Sequence, residues 1–434
     1  MKWSLAIVAL SVLVVAAVSR RLSGTPVTAA MVFVAIGVLV GPEVAGEIDP
    51  SPSGEDVRTL AEATLAVVLF ADASRSRLDA LRREYMVPLR LLGIGLPLTI
   101  ALGAVLGAVV FRQLTIAEAL VLAVLLAPTD AALGQAVVTD PRLPSRIRQG
   151  LNVASGLNDG ICVPMLFIVL AAADIESHVA SGHHAAMIVA EEIGYGTLGG
   201  ACAGLLVSAV VRIGRRHDLI ADAWFQVIPV GGAALAYGTA AALGGSGLIA
   251  AFLAGMLFGR WGHESDEASR FNEALGSLLD GLTFLAFGAV LLGPALAELS
   301  WSIAIYAVLS LTVVRMLPVA LAMLGTGARR PTSVFLGWFG PRGLASIAFA
   351  VIVVEQSHLP HVQTILLTTY ATVGLSVLAH RLSAAPLADR YTRWYRTHRR
   401  HGLPGMESVA AASHRPRGPV PLSLPAAEGP AANS

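Results

Sequence analysis

An all-α polytopic membrane fold of about thirteen transmembrane helices follows from three features of the 434-residue chain. Hydrophobic residues make up 55% of it and charged residues 14%, with a mean hydropathy of +0.70, whereas a soluble domain carries about 25% charged residues. Apolar stretches long enough to cross about 30 Å of hydrocarbon recur from Trp3 to about His380. The arginines that punctuate these stretches gather in alternate loops, as cytoplasmic loops require.

Six apolar runs form the first half, at 3–18, 25–40, 57–70, 87–111, 115–138 and 147–173. Seven follow at 185–211, 219–243, 246–258, 271–292, 301–324, 332–354 and 362–382. The first run is flanked by Lys2 and then by Arg20 and Arg21, a pattern shared with signal peptides, but no A-x-A site precedes the arginines. An uncleaved first helix fits better. Thirteen runs put Arg75, Arg77, Arg82, Arg83, Arg142, Arg146, Arg148, Arg212, Arg215, Arg216, Arg260, Arg270, Arg329 and Arg330 on one side with Arg20 and Arg21. The other side holds Lys2, Arg58, Arg112 and the acidic loop from Glu43 to Asp56. The expected topology therefore has its N-terminus outside, its C-terminus in the cytoplasm and a multi-pass domain at 1–383 in the plasma membrane.

Residues 384–434 read as a cytoplasmic tail, largely disordered, because from about Gly402 Pro, Ala, Ser and Gly dominate without periodicity. Before that point Arg390, Arg393, Arg396, Arg399 and Arg400 interleave with Trp394 and Tyr395, a stretch that suits either anionic lipid or simple topology-fixing. Nucleic-acid binding is not indicated. Cys162 and Cys202 lie far apart in apolar runs and read as packing residues, and no cofactor motif is present: Gly244, Gly245 and Gly247 form a turn with no strand before it and no Lys after. His178, His183 and His184 fall in an external loop and read as solvated. Arg315 stands near the middle of the eleventh run, with pairing to an acid or a bundle-facing role equally open.

The chemistry concentrates around two acids inside apolar runs, Asp130 and Asp159. A charge at the bilayer centre costs about 2.5–3.5 kcal/mol on insertion scales, so it persists where it lines an ion path or meets a partner. Pro128 interrupts the fifth run just before Thr129 and Asp130 and leaves backbone carbonyls without donors. Gly340, Pro341 and Gly343 surround Arg342 in the twelfth run. Runs four to six and eleven to thirteen correspond across a seven-helix offset, which gives them opposite orientations, and paired broken helices in inverted halves point to a midplane binding site. Ser155 and Asp159 share one helix face at i and i+4, beside Asn158, and together offer the oxygen donors that a hard cation prefers. Structural readings stand beside these: two unrelated proline kinks, a cross-bundle hydrogen bond for Asp159, and helix-end capping for Asp130.

The motifs APTDAAL, ASGLNDG and GPRGLAS together resemble the sodium/proton antiporters of the monovalent cation/proton antiporter superfamily, in the prokaryotic branch with an Asn-Asp pair. The resemblance spans nearly all thirteen runs. It implies a secondary transporter rather than an enzyme, exchanging a monovalent cation, Na⁺ first and Li⁺ or K⁺ next, for H⁺ by alternating access and electroneutrally. It further implies inverted repeats with two broken crossing helices, the fifth and the twelfth, in a core bundle at about 87–173 and 300–383, a dimerisation part at about 1–75 and 219–294, and a homodimer in membrane lipid. Asp159 becomes the shared carrier of the transported cation and the proton, with Thr129, Asp130 and Ser155 near the ion and Asn158 structural.

Two positions depart from the family pattern. Ala154 stands where a Glu usually begins the ASGLND stretch and would pair with Arg342, and Ala71 then Asp72 stand where a Glu often follows Phe70. An unpaired guanidinium in lipid is costly, so another acid is expected to reach Arg342, with Asp72 favoured over Glu62 and Asp280. Proton and cation would compete for Asp159 while the core bundle rocks against the dimerisation part. The alternatives are a non-transporting ion or pH sensor that keeps the fold and, against its sequence context, an intramembrane aspartyl protease.

Overall fold

The computed structural model describes residues 2–22, 25, 27–42, 54–75, 86–130, 132–176, 182–261, 266–356, 359–399 and 406–408. Its helices are α1 (Lys2–Leu22), α2 (Ala29–Val40), α3 (Gly54–Arg75), α4 (Met86–Val110), α5 (Ile116–Leu125), α6 (Gln135–Val138), α7 (Ser145–Glu176) and α8 (Gly182–Arg216). They continue as α9 (Ile228–Ala242), α10 (Gly247–Trp261), α11 (Asp266–Ala286), α12 (Trp301–Leu311), α13 (Val313–Ala322), α14 (Arg330–Trp338), α15 (Leu344–Gln356) and α16 (Val362–Arg399). Among the described residues six helical spans are long and apolar enough to cross a membrane, and five shorter helices are apolar. The chain is a multi-pass membrane protein.

Each element has a local cause. Thr115 accepts the Glu118 amide while Glu118 returns to the Thr115 amide, a capping box that starts α5 at the predicted place. Glu118 is fully buried and also accepts the His361 amide at 2.9 Å and its ring Nδ1 at 3.0 Å, which fastens the entry of α16 to that of α5. Ser300 caps α12 in the same way as Thr28 caps α2, each accepting the amide three residues on. Five-residue and six-residue π turns at Leu91–Gly95 and Phe287–Leu292 interrupt α4 and the continuation of α11.

Two groups of helices form. On one side α8 packs on α9 and α10, α10 on α3, and α11 on α2 and α3. The contact of α8 with α10 has a simple basis: Gly196, Gly200 and Gly204 recur at i, i+4 and i+8 and face Ser246, Ala250 and Ala254 at the same spacing. A Cβ at Gly200 would sit 2.6 Å from the Ala250 carbonyl oxygen, so the backbones meet only because the side chain is absent. In lipid, where apolar burial drives little association, such small-residue faces supply close packing instead. On the other side α4 packs on α5, α5 on α7, α12 on α16 and α13 on α14. There the two broken segments cross.

The last helix departs from the expected end at 382, since α16 stays helical to Arg399. Its aromatic residues explain why. Tyr391 stacks on Phe335 at 4.5 Å between ring centroids, Trp394 packs on Tyr391, and both join a cluster with Met406. Glu407 accepts the Arg329 amide at 2.9 Å and the Thr332 hydroxyl at 2.6 Å, capping α14. Arg390, Arg393 and Arg396 stay exposed. Arg399 and Arg400, His178 and the tail beyond 408 lie outside the side chains or residues described.

Candidate functional site

The break after α5 begins at Leu126 and leaves residues 127–130 outside any helix. Pro128 has no N–H to continue the ladder, and the Ala127, Pro128 and Thr129 carbonyls, which a continuous helix would have paired, need donors from elsewhere. Side chains supply all three in succession. Asn158 Nδ2 donates to the Ala127 carbonyl at 3.2 Å, Arg342 Nη1 donates to the Ala127 and Pro128 carbonyls at 2.5 and 3.0 Å, and Ser155 Oγ donates to the Thr129 carbonyl. The Thr129 hydroxyl donates to Ser155 Oγ at 3.3 Å and accepts from Asn158 Nδ2 at 3.3 Å. Asn158 Oδ1 in turn accepts the Cys162 thiol at 3.3 Å. Thr129, Ser155 and Asn158 therefore form one buried cluster.

Asp159 faces the same break from α7. It is buried, the Thr129 N–H is directed at it, and its Oδ1 has no hydrogen-bond partner. A buried carboxylate oxygen without a donor is unusual. Arg342 is the cation within electrostatic reach.

Asp130 sits differently. Its amide donates to the Pro341 carbonyl at 2.7 Å, which ties the first break to the second. Oδ1 accepts the Ala132 and Leu133 amides at 2.7 and 3.3 Å, and Oδ2 accepts the Leu344 amide at 3.2 Å, the first of α15. One carboxylate thus caps two short helical ends at once. Gly343 makes this possible, because a Cβ there would collide with the Asp130 carboxylate.

The second break is braced by α16. The Arg342 amide donates to Ser376 Oγ at 2.7 Å, Ser376 Oγ lies 3.1 Å from His380 Nδ1, and His380 Nε2 lies 2.9 Å from the Trp338 carbonyl. His380 Nδ1 also lies 3.0 Å from the Ser376 carbonyl, so each ring nitrogen faces a backbone carbonyl; a neutral imidazole with its proton on Nε2 donates to Trp338 and leaves Nδ1 to accept from Ser376 Oγ. Ser376 and His380 were not singled out in the sequence, although two polar residues at i and i+4 in an apolar run were there to be noticed.

The expected acid partner of Arg342 is replaced by backbone. Arg342 is 0% exposed, and among the described residues no carboxylate comes within ion-pair distance of it. The freed carbonyls of Ala127 and Pro128 present the negative ends of peptide dipoles where an acid was anticipated. Glu62 instead accepts the Tyr237 hydroxyl. Asp72 packs over Gly156 on α7, with Oδ2 4.0 Å from where a Cβ would lie. Asp280 is half-buried, with Oδ1 unpartnered and Asp130 within its electrostatic reach.

A family model described as sodium/hydrogen exchanger, transmembrane, matches residues 8–390. A curated relative, the K(+)/H(+) antiporter NhaP2 of Shewanella oneidensis, is 26% identical over 383 residues, covering 85% of this chain and 63% of the relative. The chain therefore spans under two thirds of that relative's length. The Na(+)/H(+) antiporter of Schizosaccharomyces pombe is 24% identical over 336 residues, covering 73% of this chain and 71% of that protein. Among solved structures, the sodium proton antiporter MjNhaP1 from Methanocaldococcus jannaschii superposes with a TM-score of 0.73 at 20% identity, over 90% of this chain and 100% of that one, and so shares the fold.

Proposed function

Because the chain belongs to the sodium/hydrogen exchanger, transmembrane family, we propose that it exchanges a monovalent cation for a proton across the membrane, with Asp159 as the carrier of both. The observation that carries this reading is the bare Oδ1 of Asp159, buried beside a helix break whose carbonyls are already satisfied by Asn158, Arg342 and Ser155. Asn158, Ser155 and one nitrogen of Arg342 donate to the backbone of the break and leave this oxygen open. A proton or a cation can take it, and neither can do so while the other is bound. Burial disfavours the bare charged carboxylate, so one charge replaces the other rather than leaving.

Lone pairs on Ser155 Oγ and Thr129 Oγ1 lie beside Asp159 and suit an alkali cation, which prefers oxygen donors by analogy with other hard ions. Relatives named for K⁺ and for Na⁺ leave both cations as substrates to compare. One acid carrying one charge in each direction makes the exchange electroneutral. The scheme makes and breaks no covalent bond beyond proton transfer, and it needs no cofactor. The segments 87–173 and 300–383 act as the moving core bundle and 1–75 with 219–294 as the dimerisation part of a homodimer, by the rocking of inverted repeats. The arginine asymmetry sets the N-terminus outside and the C-terminus in the cytoplasm.

The test is ΔpH dissipation in everted vesicles or proteoliposomes on addition of Na⁺, Li⁺ or K⁺. Wild type should dissipate ΔpH with at least one of them and Asp159→Asn with none. A wild type silent to all three between pH 6 and 9, or an Asp159→Asn variant as active as wild type, overturns the proposal.

A further inference from the structure

A second buried cation lies beside the site without a counter-charge. Arg315 on α13 is 5% exposed, its Nε has no hydrogen-bond partner, and no carboxylate among the described residues comes within ion-pair distance of it. Its guanidinium lies flat over Gly340: a Cβ at that position would be 2.5 Å from Nε and 2.9 Å from Nη2. Arg342 adds repulsion from the other side of the break. Guanidinium groups do not shed their charge in proteins, and an uncompensated buried ion costs several kcal/mol.

Arg315 lines a cavity of about 20 Å³, walled also by Ala154, Ser155, Phe339 and Pro341. That is room for one water-sized species. The Ala154 methyl leaves this space open where a longer side chain would fill it. Asp130 reaches the same cavity, with both its oxygens held by the amides of Ala132, Leu133 and Leu344. Arg315 is the cation in the lining.

We propose that this cavity is a binding site for a small monovalent inorganic anion, of halide size, held by Arg315 next to Ala154 and sharing the Thr129 and Ser155 wall with the cation site at Asp159. The anion supplies the negative charge that the protein omits. A polyatomic anion such as sulfate is too large for the space, so selectivity should follow size.

The experiment reads binding to the purified full-length protein and does not depend on transport, so it can succeed or fail independently of the exchange reading. Melting temperature is followed against bromide or chloride, replaced by gluconate or sulfate at constant ionic strength and constant Na⁺. Wild type should show a saturable rise with the halides alone. Ala154→Glu, whose carboxylate fills the cavity and meets Arg315, should melt as high in gluconate as wild type does in halide and show no response. Arg315→Gln should lose the response as well. Crystals grown in bromide should give an anomalous peak beside Arg315 in wild type and none in Ala154→Glu. A wild type indifferent to halide, or an Ala154→Glu variant that responds as wild type does, overturns the proposal even if Arg315→Gln does not fold.

Discussion

Replacing Gly343 with Ala tests the junction on which the whole site hangs. The added Cβ would lie 2.8 Å from Asp130 Cβ and 2.9 Å from its Cγ, and closer still to Oδ2, so Asp130 has to move. Moving it breaks the bond from the Leu344 amide and strains the one from the Asp130 amide to the Pro341 carbonyl. A hydrogen bond to a charged group is worth about 1.5–3 kcal/mol and overpacking costs about 1–3 kcal/mol, which together make roughly 3–5 kcal/mol. Gly238 in α9 provides the control, since it is exposed and a Cβ there meets nothing within 4 Å. Ala at 238 should be neutral or gain about 0.5–1 kcal/mol from helix propensity. Melting in detergent at one fixed scan rate, followed by size-exclusion, ranks the three proteins without assuming reversibility. Gly343→Ala should melt well below wild type and Gly238→Ala at or slightly above it. If Gly343→Ala melts alongside Gly238→Ala, Asp130 is not the clamp between the two breaks and the argument built on it fails.

Glu118→Ala leaves the Thr115 and His361 amides and the His361 ring without their buried acceptor, and should cost about 2–4 kcal/mol by the same melting assay, with Glu118→Gln intermediate. His380→Phe keeps the stack on Trp338 but strands the Trp338 carbonyl and the Ser376 hydroxyl, for a loss of about 1–3 kcal/mol, whereas His380→Gln should lose less. In the loop after α6, burial alone would lift the Asp140 carboxyl, but its hydrogen bonds and charge contact with Arg142 outweigh that and hold it below the usual carboxylate range. The stabilisation is therefore complete above the unfolded value near pH 4 and fades as pH falls through the lower folded value. Arg142 is half exposed, so the increment is at most about 1 kcal/mol. Melting temperatures measured between pH 6 and 3 should fall more steeply for wild type than for Asp140→Asn, and parallel curves would count against the pair.

Much of the site was legible in the sequence because its causes are local. Pro128 and the Gly340-Pro341-Gly343 cluster forbid a continuous ladder whatever surrounds them, and Ser155 and Asp159 share a helix face by spacing alone. What stayed hidden depends on contacts between segments tens of residues apart. Ser376 and His380 brace the second break from α16, a placement that hydropathy cannot show. The helical stretch beyond 382 is held by Phe335, Tyr391, Trp394 and Met406, so an aromatic-rich segment that suited lipid packs on protein instead. The repeat Gly196, Gly200, Gly204 was visible, but its partners on α10 were not.

The expectation for Arg342 failed for an instructive reason. It assumed that a buried charge must meet an opposite charge, so it searched Glu62, Asp72 and Asp280 for a partner. The break itself had already provided one. The helix stops at this break, so the Ala127 and Pro128 carbonyls have no helical donors, and a guanidinium with five donors is the side chain best shaped to gather two of them at once. Arg342 therefore belongs to the backbone of the first break, and this has a consequence for Asp159. Had an acid neutralised Arg342, Asp159 would sit beside a silent ion pair. With its Nη1 on carbonyl dipoles, Arg342 keeps its charge within electrostatic reach of Asp159, where it opposes a bound cation and works against the pull of Asp130. Release matters as much as capture in exchange: a site that held either ion too firmly would bind and not turn over. The same logic separates the two acids. Asp130 has both carboxylate oxygens on the amides of short helical ends, while Asp159 keeps one oxygen uncommitted.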